Sequence, residues 1–559
     1  RDAAGRLRSK YAIEERRVDQ NDVNIAGNVK WRAKEWFTLT GGIDFKWNRT
    51  EYYKKMDDLL GGEYYLNIDQ FAERDFASSP TMIQNDLDYF LKHGEAQKVM
   101  KGGKYGYDYY AHVRNADIWA NGIFEKGGFR GNVAISGGYS SFWREGLMRK
   151  GLFAGLDDKG QEISYEGTVL TKYDENGKAI TSKGLSDKAR FFTYSAKIGA
   201  SYMLIGGHRV FANVGYFNDA PTFNQSFISP RTRNTLVEDL TTTKTFSADI
   251  NYAFSNNGYD VRLTGFYTKI MDQTDMMSFY DDSQNSFTNF AMTGIDQRHM
   301  GIELGFKVPL VLQGLSLQGA LSWGEYIYTS IPRMTQTIDN SSEVIFRNQT
   351  VPYWKSHPVY KKVTVDGVSM YDKDNSGNYI LKKEQKHYVP STPQLASSLS
   401  LHYRTNSYWF FELEGQFFAN SYLDMNPLYR TMMAVAGPDN AVSAAVLEEH
   451  QNSWFLNDKI GDEMGLTPGE IEYMASQEKF DPVFLLNLSV GKSWYIHRKY
   501  NIGFSLQANN LLNNRGVKTG GYEQTRVMDS KSYDRYYRFD SKYFYMQGIN
   551  YMLNLYFRF

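Results

Sequence analysis

The stretch Ile549-Asn550-Tyr551-Met552-Leu553-Asn554-Leu555-Tyr556-Phe557-Arg558-Phe559 ends the chain and decides its fold. Ile549, Tyr551, Leu553, Leu555, Phe557 and Phe559 fall on every second position, while Asn550, Asn554 and Arg558 fall between them. A strand repeats its side-chain direction every two residues, so this segment has one apolar face and one polar face. A helical period would mix the two sets.

The same stripe recurs upstream. Ile502, Phe504, Leu506 and Ala508 alternate with Asn501, Ser505, Gln507 and Asn509. Further stripes lie at Phe37, Leu39, Ile43, Phe45, at Phe192, Tyr194, Ala196, Ile198, Ala200, and at Phe246, Ala248, Ile250, Tyr252. Short Gly, Asn or charged turns join strands in pairs at Arg32 to Glu35, Lys126-Gly127-Gly128, Gly206-Gly207, Ser255 to Gly258, Gln313-Gly314, Thr405-Asn406 and His497 to Lys499. Between these hairpins run long polar stretches, about 48–104, 145–187, 218–241, 272–284, 330–390, 420–481 and 513–540. Short and long connections therefore alternate, as they do in an outer-membrane barrel with clipped turns at one end and elaborate loops at the other. Counting back from Phe559 predicts about 16 strands, the first a weak one near Tyr11–Val18 followed by a short outer loop at Asp19–Asp22.

Composition agrees by exclusion. The 559 residues hold 63 Lys+Arg against 63 Asp+Glu, so no net positive charge recommends nucleic acid as a partner. Absence of cysteine removes disulfides, thiolate nucleophiles and cysteine-ligated metals together. No stretch approaches the roughly 18 apolar residues of a membrane-spanning helix. The 16% aromatic content, with 48 Gly and only 13 Pro, suits a lipid-facing barrel with aromatic girdles.

Motifs for chemistry are weak throughout. Asp372, Asp374 and Ser376 open like a calcium loop with Gly377 sixth, but Lys383 stands where the twelfth-position Glu belongs, and a hairpin turn is the better reading. Gly491-Lys492-Ser493 resembles the end of a phosphate-binding loop, yet it sits inside an alternating strand with Leu486 where that motif needs Gly. Single, scattered His residues and no local nucleophile–base pairing predict neither a metal site nor an enzyme, and no cofactor. Asp249, Asn251, Arg262, Glu412, Glu414, Gln416, Asn487 and Gln507 are expected to make the interior hydrophilic. Tyr536, Tyr537, Phe539, Tyr543, Phe544 and Tyr545 suggest an interfacial girdle at the last strand. Tyr422, Tyr429, Trp454 and Phe455 lie within a long loop, where they either pack a small core or offer a stacking surface for a ligand. Thr467-Pro468-Gly469-Glu470 reads as a helix start, and Pro80–His93 as a helical run.

Three segments carry a family resemblance. Ala220-Pro221-Thr222-Phe223-Asn224 resembles the Ala-Pro-x-Phe segment of TonB-dependent outer-membrane transporters. Gln297-Arg298-His299-Met300-Gly301-Ile302-Glu303-Leu304 is similar to their strand with a Gly-x-Glu core, and Ala508-Asn509-Asn510-Leu511-Leu512-Asn513-Asn514 to their Asn-Leu-Phe-Asp/Asn-Lys signature, with Leu512 in place of Phe. Terminal Phe559 resembles the assembly signal of outer-membrane barrels generally.

The resemblance implies an all-β fold, an antiparallel transmembrane β-barrel forming the C-terminal part of a 22-stranded wall. On that reading residues 1–559 lack the N-terminal plug, the TonB-contact segment and about six strands, and Arg1–Lys10 has no signal-peptide character. It further implies a receptor in the bacterial outer membrane that binds a ferric siderophore, haem, cobalamin or oligosaccharide at its loops. Import would draw on the TonB complex through the missing N-terminal region, with outer-membrane lipid around the wall. Two other classes stay open from the residues alone: a self-contained 16-stranded passive porin, and a surface adhesin or barrel hydrolase. A signal peptide directly upstream of Arg1 would favour the porin, and a plug-sized domain the transporter.

Overall fold

The computed structural model describes residues 2–281, 286–339, 344–390, 392–431, 468–497, 499–524, 527–530 and 535–559. Among them fifteen long strands form one antiparallel wall: β1 Ile13–Lys34, β2 Phe37–Asp58, β3 Lys104–Lys126, β4 Phe129–Gly146, β5 Ala189–Met203, β6 His208–Asp219, β7 Thr243–Asn256, β8 Tyr259–Asp281, β9 Ser286–Pro309, β10 Leu315–Tyr328, β11 Leu395–Arg404, β12 Trp409–Ala419, β13 Val483–Ile496, β14 Tyr500–Asn509 and β15 Asn550–Arg558. Each pairs with the next in sequence, from β1 with β2 to β14 with β15. The short pieces Gly184–Leu185, Arg333–Ile338 and Val344–Thr350 widen it to an 18-stranded sheet at the long-loop end. Among the described residues β1 pairs only with β2 and β15 only with β14, so the wall is open at both edges.

Two sequence expectations need correction. The weak strand at Tyr11–Val18 and the short outer loop at Asp19–Asp22 are one strand, β1, whose register with β2 runs from Ile13↔Asp58 to Lys34↔Phe37. Nine of its eleven residues from Glu14 to Asn24 are polar, on both faces, because this half of the strand stands in water beyond the apolar band, and alternation disappears where lipid does. The count is thus fifteen rather than about 16, and β1 descends like β15. The expected loop 272–284 is mostly the tip of the β8–β9 hairpin, and 48–104 begins with β2 as far as Asp58.

All seven expected turns are found, at one end of the wall. The β7–β8 turn shows why its residues are Asn and Gly: Asn257 and Gly258 have φ of 51° and 84°, the doubly positive geometry of a type I′ hairpin. The outward face is apolar across neighbouring strands. Leu263 opposes Leu304, Gly265 opposes Ile302, and Ile302 in turn opposes Trp323. Ile118 is 64% exposed and Leu555 71%, a degree of apolar exposure that is stable only against hydrocarbon. The inward face is hydrophilic as expected. Asn213 donates to Asp249 at 3.0 Å, Arg262 to Asn251 at 3.0 Å and Asn487 to Glu414 at 3.2 Å.

The familiar segments have local structural reasons. Asn510 and Asn513 take φ of 55° and 51°, which Asn tolerates. The Asn510 side chain donates to the carbonyls of Asn514 at 3.0 Å and Gln547 at 3.1 Å, and accepts from the Asn514 amide. Asn514 donates to the Phe484 carbonyl at 2.9 Å, so the motif clamps the exit of β14 to β13 and to the approach of β15. In the Gly-x-Glu stretch, Gly301 faces Gly324 on β10, and a Cβ there would stand 2.4 Å from the Trp323 carbonyl oxygen.

Candidate functional site

The long connections fold over the wall's mouth and share cores. Thr222 caps the short helix α1 (Phe223–Ser226) through a reciprocal box with Gln225. This sets Phe223 and Phe227 against Tyr109, Ala111, Phe142 and Ala189 on the inward side of β3, β4 and β5. The Ala-Pro-x-Phe segment is therefore an anchor that ties its loop into the mouth. A second core joins the β8–β9 hairpin to two later loops through Phe290, Met292, Met334, Trp354, Met425 and Leu428.

The roof is locked by buried charge. Arg430 and Glu523 are wholly buried and paired, with Arg430 Nη2 donating to Glu523 Oε1 at 2.9 Å. The Asn426 amide donates to the other Glu523 oxygen at 2.9 Å, and Arg538 completes the cluster from the far side. Arg430 and Arg538 also donate to the Ser476 carbonyl, at 2.7 and 2.8 Å, which draws in the helix α2 (Pro468–Ala475). That helix begins at the Pro468 expected from sequence. The other expected run, Pro80–His93, is helical only over Leu87–His93, with a separate short helix at Gln70–Phe76.

Beside the cluster lie two buried histidines. His357 Nδ1 and His387 Nε2 are 2.8 Å apart, and His387 Nδ1 stands 3.1 Å from the Trp354 carbonyl oxygen. The carbonyl takes a proton only from Nδ1–H, so His387 Nε2 accepts and His357 donates. Burial, reinforced by the Arg430 charge, pushes His357 down to about 4 and His387 well below its ordinary value. A depressed His pKa means the unfolded form binds the extra proton first, so stability is full above about 6.5 and drains as pH falls towards 4. Burial, with Asp275 and Glu523 nearby, raises Asp424 to about 6, and this opposes part of the trend because that group gains a proton on folding. The pair is expected to dominate: limited proteolysis of 355–390 should rise several-fold between pH 7 and 4.5, and His357→Gln should flatten that rise.

Between three loops sits a cavity of about 570 Å³. Tyr173, Lys178, Arg233, Asn234, Thr337 and Arg347 are among its lining groups. Its charges are already matched: Arg347 pairs with Glu238 at 2.7 Å and with Glu175, and Lys178 pairs with Asp187. Arg233 is buried against the Phe153 ring at 5.0 Å, and burial lowers its pKa. Such a lining of hydroxyl, amide and paired ionic groups is built to hydrogen-bond a hydrophilic ligand rather than to ligate a bare ion. Below it, a second space of about 560 Å³ on the inner wall is bordered by Arg262, Thr264, Glu303, Ser322, Glu414 and Gln416.

The loop aromatics singled out from sequence separate. Tyr422 stacks on Tyr388 at 4.2 Å and 9°. With Trp323 and Lys479 they edge a groove of about 930 Å³ whose floor includes Ile250 and Ile302. Tyr429 is wholly buried; its hydroxyl accepts the Phe539 amide at 3.2 Å and Arg538 covers its ring at 5.3 Å. Trp454 and Phe455 lie outside the described residues. In place of a girdle position, Tyr543 donates to Glu478 at 2.7 Å from a hairpin that precedes β15, and the side chains of Tyr536 and Tyr537 lie outside the described residues. At Asp372–Gly377 the Asp374 carboxylate accepts the Ser376 and Asn378 amides at 2.8 and 2.9 Å while Asp372 pairs with Lys361 at 2.7 Å, the geometry of a hairpin turn. Sequence reading missed His357, His387, Glu523 and the cavity. The partners lie 30 and 93 positions apart, and no local pattern joins them.

No protein-family model and no curated protein matches the chain. Solved structures do. A structure described as the copper transporter OprC aligns at 12% identity and TM-score 0.51, over 97% of this chain and 57% of its own. The ferric yersiniabactin uptake receptor FyuA of Yersinia pestis aligns at 12% identity and TM-score 0.47, over 97% and 54%, and the ferric citrate transporter FecA at 8% and 0.46, over 96% and 55%. The chain therefore spans a little over half the length of the structures it matches. The shared feature is the fold: an antiparallel wall of long strands, with short turns at one end and folded loops at the other, is what this chain has in common with the OprC structure.

Proposed function

We propose that this chain is the wall and outer binding surface of a TonB-dependent importer for a scarce, hydrophilic nutrient. The observation that carries the reading is the roof: three loops enclose a polar cavity above an inner wall that is itself hydrophilic. Binding there and relayed energy, rather than chemistry on the ligand, would carry the function. The folds compared are those of carriers named for copper, ferric yersiniabactin and ferric citrate, and a metal chelate is the first cargo to test; haem, cobalamin and oligosaccharides follow. Partners on this reading are the TonB complex, acting through a plug outside residues 1–559, and the surrounding lipid.

The test is growth of a deletion strain, complemented with the wild-type or Thr235→Trp receptor, on a panel of iron and copper chelates, haem, cobalamin and glycans. Thr235 lines the cavity, and an indole there fills part of it. One nutrient is expected to require the receptor and TonB, and the filled variant should need at least about tenfold more of it. Growth that ignores both TonB and Thr235→Trp would overturn the reading.

A further inference from the structure

The outward face of β2 to β5 changes character in register. Reading across the strands, Phe45, Ala116, Tyr139 and Phe192 form one row, and Ile43, Ile118, Gly137 and Tyr194 the row below it, towards the short turns. These rows are hydrocarbon. One step towards the long loops the row is Trp47, Arg114, Ser141 and Arg190, and the next is Arg49, His112 and Trp143, with Lys188 beside it. Within two residues along each strand the wall passes from lipid-facing apolar side chains to four cations interleaved with two tryptophans.

Three of those cations are held by rings rather than by acids. Arg114 lies 4.6 Å from the Trp47 ring and 5.2 Å from that of Trp143, Lys188 lies 4.5 Å from Trp143, and Arg49 4.9 Å from Tyr110. Among the described residues none of Arg49, Arg114, Lys188 and Arg190 has a carboxylate in ion-pair range, and Arg49 Nε has no hydrogen-bond partner. The acids at the margin have partners other than these four cations: Glu145 lies 2.8 Å from His112 of the patch, Asp108 and Glu51 pair with Lys104, and Asp187 pairs with Lys178. Four uncompensated charges set together repel one another unless an anion joins them. The rows beneath supply the other half of a site, because Ala116 and Gly137 leave a notch between larger side chains, and a Cβ on Gly137 would meet open space.

We propose that this patch binds one lipid of the outer leaflet that carries phosphate on its headgroup, its phosphate on Arg49, Arg114, Lys188 and Arg190 and an acyl chain along Ala116 and Gly137. Position selects this occupant over a soluble anion, since the site straddles the edge of the hydrocarbon where only a lipid presents phosphate and chain together. Arginine forks suit phosphate oxygens, and interfacial tryptophans hold the headgroup level. The site is on the outside of the wall and takes no part in the cargo path.

The test uses the complete receptor in a neutral maltoside detergent and native mass spectrometry, with dioleoylphosphatidate or dioleoylphosphatidylcholine added. The wild-type protein should bind phosphatidate about tenfold more tightly than phosphatidylcholine. R49Q/R114Q/K188Q/R190Q should lose that preference, while K92Q/K101Q/K159Q/K382Q, which neutralises four loop lysines, should keep it. Should the first variant fail to assemble, as judged by heat-modifiable migration, K188Q/R190Q alters only two exposed residues and should halve the preference or more. Equal binding of the two lipids, or an unchanged preference in the neutralised variant, would overturn the proposal. Millimolar inorganic phosphate that displaces phosphatidate fully would assign the site to a free anion instead.

Discussion

Glu523→Gln is expected to unlock the loop roof while leaving the wall intact. The substitution keeps the size of a wholly buried side chain but strips the negative charge from between Arg430 and Arg538. Arg430 is itself fully buried, and removing one partner of a buried pair costs about 3–5 kcal/mol because the remaining charge stays desolvated. The cost falls on the segments the cluster joins, Pro427–Arg430, the helix Pro468–Ala475 and Lys518–Tyr522. Their amide hydrogen exchange should quicken by roughly a hundredfold to several thousandfold, with exchange in β6 to β10 unchanged. Glu523→Gln combined with Arg430→Met should recover part of the loss, since it removes the stranded charge as well. Equal protection in Glu523→Gln and wild type would show that the cluster does not hold the roof.

Residues 1–559 expressed alone are expected to fail as a membrane barrel. The outer edges of β1 and β15 meet no strand among the described residues, and β1 alone spans 22 residues. Each backbone group left unpaired in hydrocarbon costs several kcal/mol, so two open edges outweigh the gain from burying the apolar stripes. Closing the fifteen strands on themselves would give an odd count, against the even numbers of single-chain bacterial barrels. The chain should therefore aggregate on refolding into dilauroyl phosphatidylcholine vesicles and show no heat-modifiable band, whereas supply of additional wall strands should restore one. Stable insertion of 1–559 with solute-permeable pores would revive the passive-porin reading.

The wall was legible because its rule is local. Every second residue meets lipid, so a stripe such as Phe246, Ala248, Ile250, Tyr252 declares a strand without reference to any other part of the chain. The rule fails where lipid ends. That is why the polar half of β1 reads as a weak strand followed by a short loop, and why 272–284 reads as a loop although β8 runs on to Asp281. The roof obeys no period at all. Tyr429 and Tyr422, only seven positions apart in sequence, end in a sealed core and on an outward ledge, and what separates them is Arg538, Phe539 and Tyr388 arriving from other loops. The basic patch lay in plain sight as Arg49, Arg114, Lys188 and Arg190, but only strand register brings the four together.

The strand lengths bear on what the outside world meets first. β8 has 23 residues, about 75 Å of chain at 3.3 Å each, and a strand tilt near 40° turns that into a height of about 55 Å. An apolar band of about 25 Å accounts for less than half of it. The β8–β9 hairpin is thus a mast as well as a wall element, and its upper half, where Phe290 and Met292 meet Met334, Trp354 and Met425, is the post on which the later loops hang clear of the membrane.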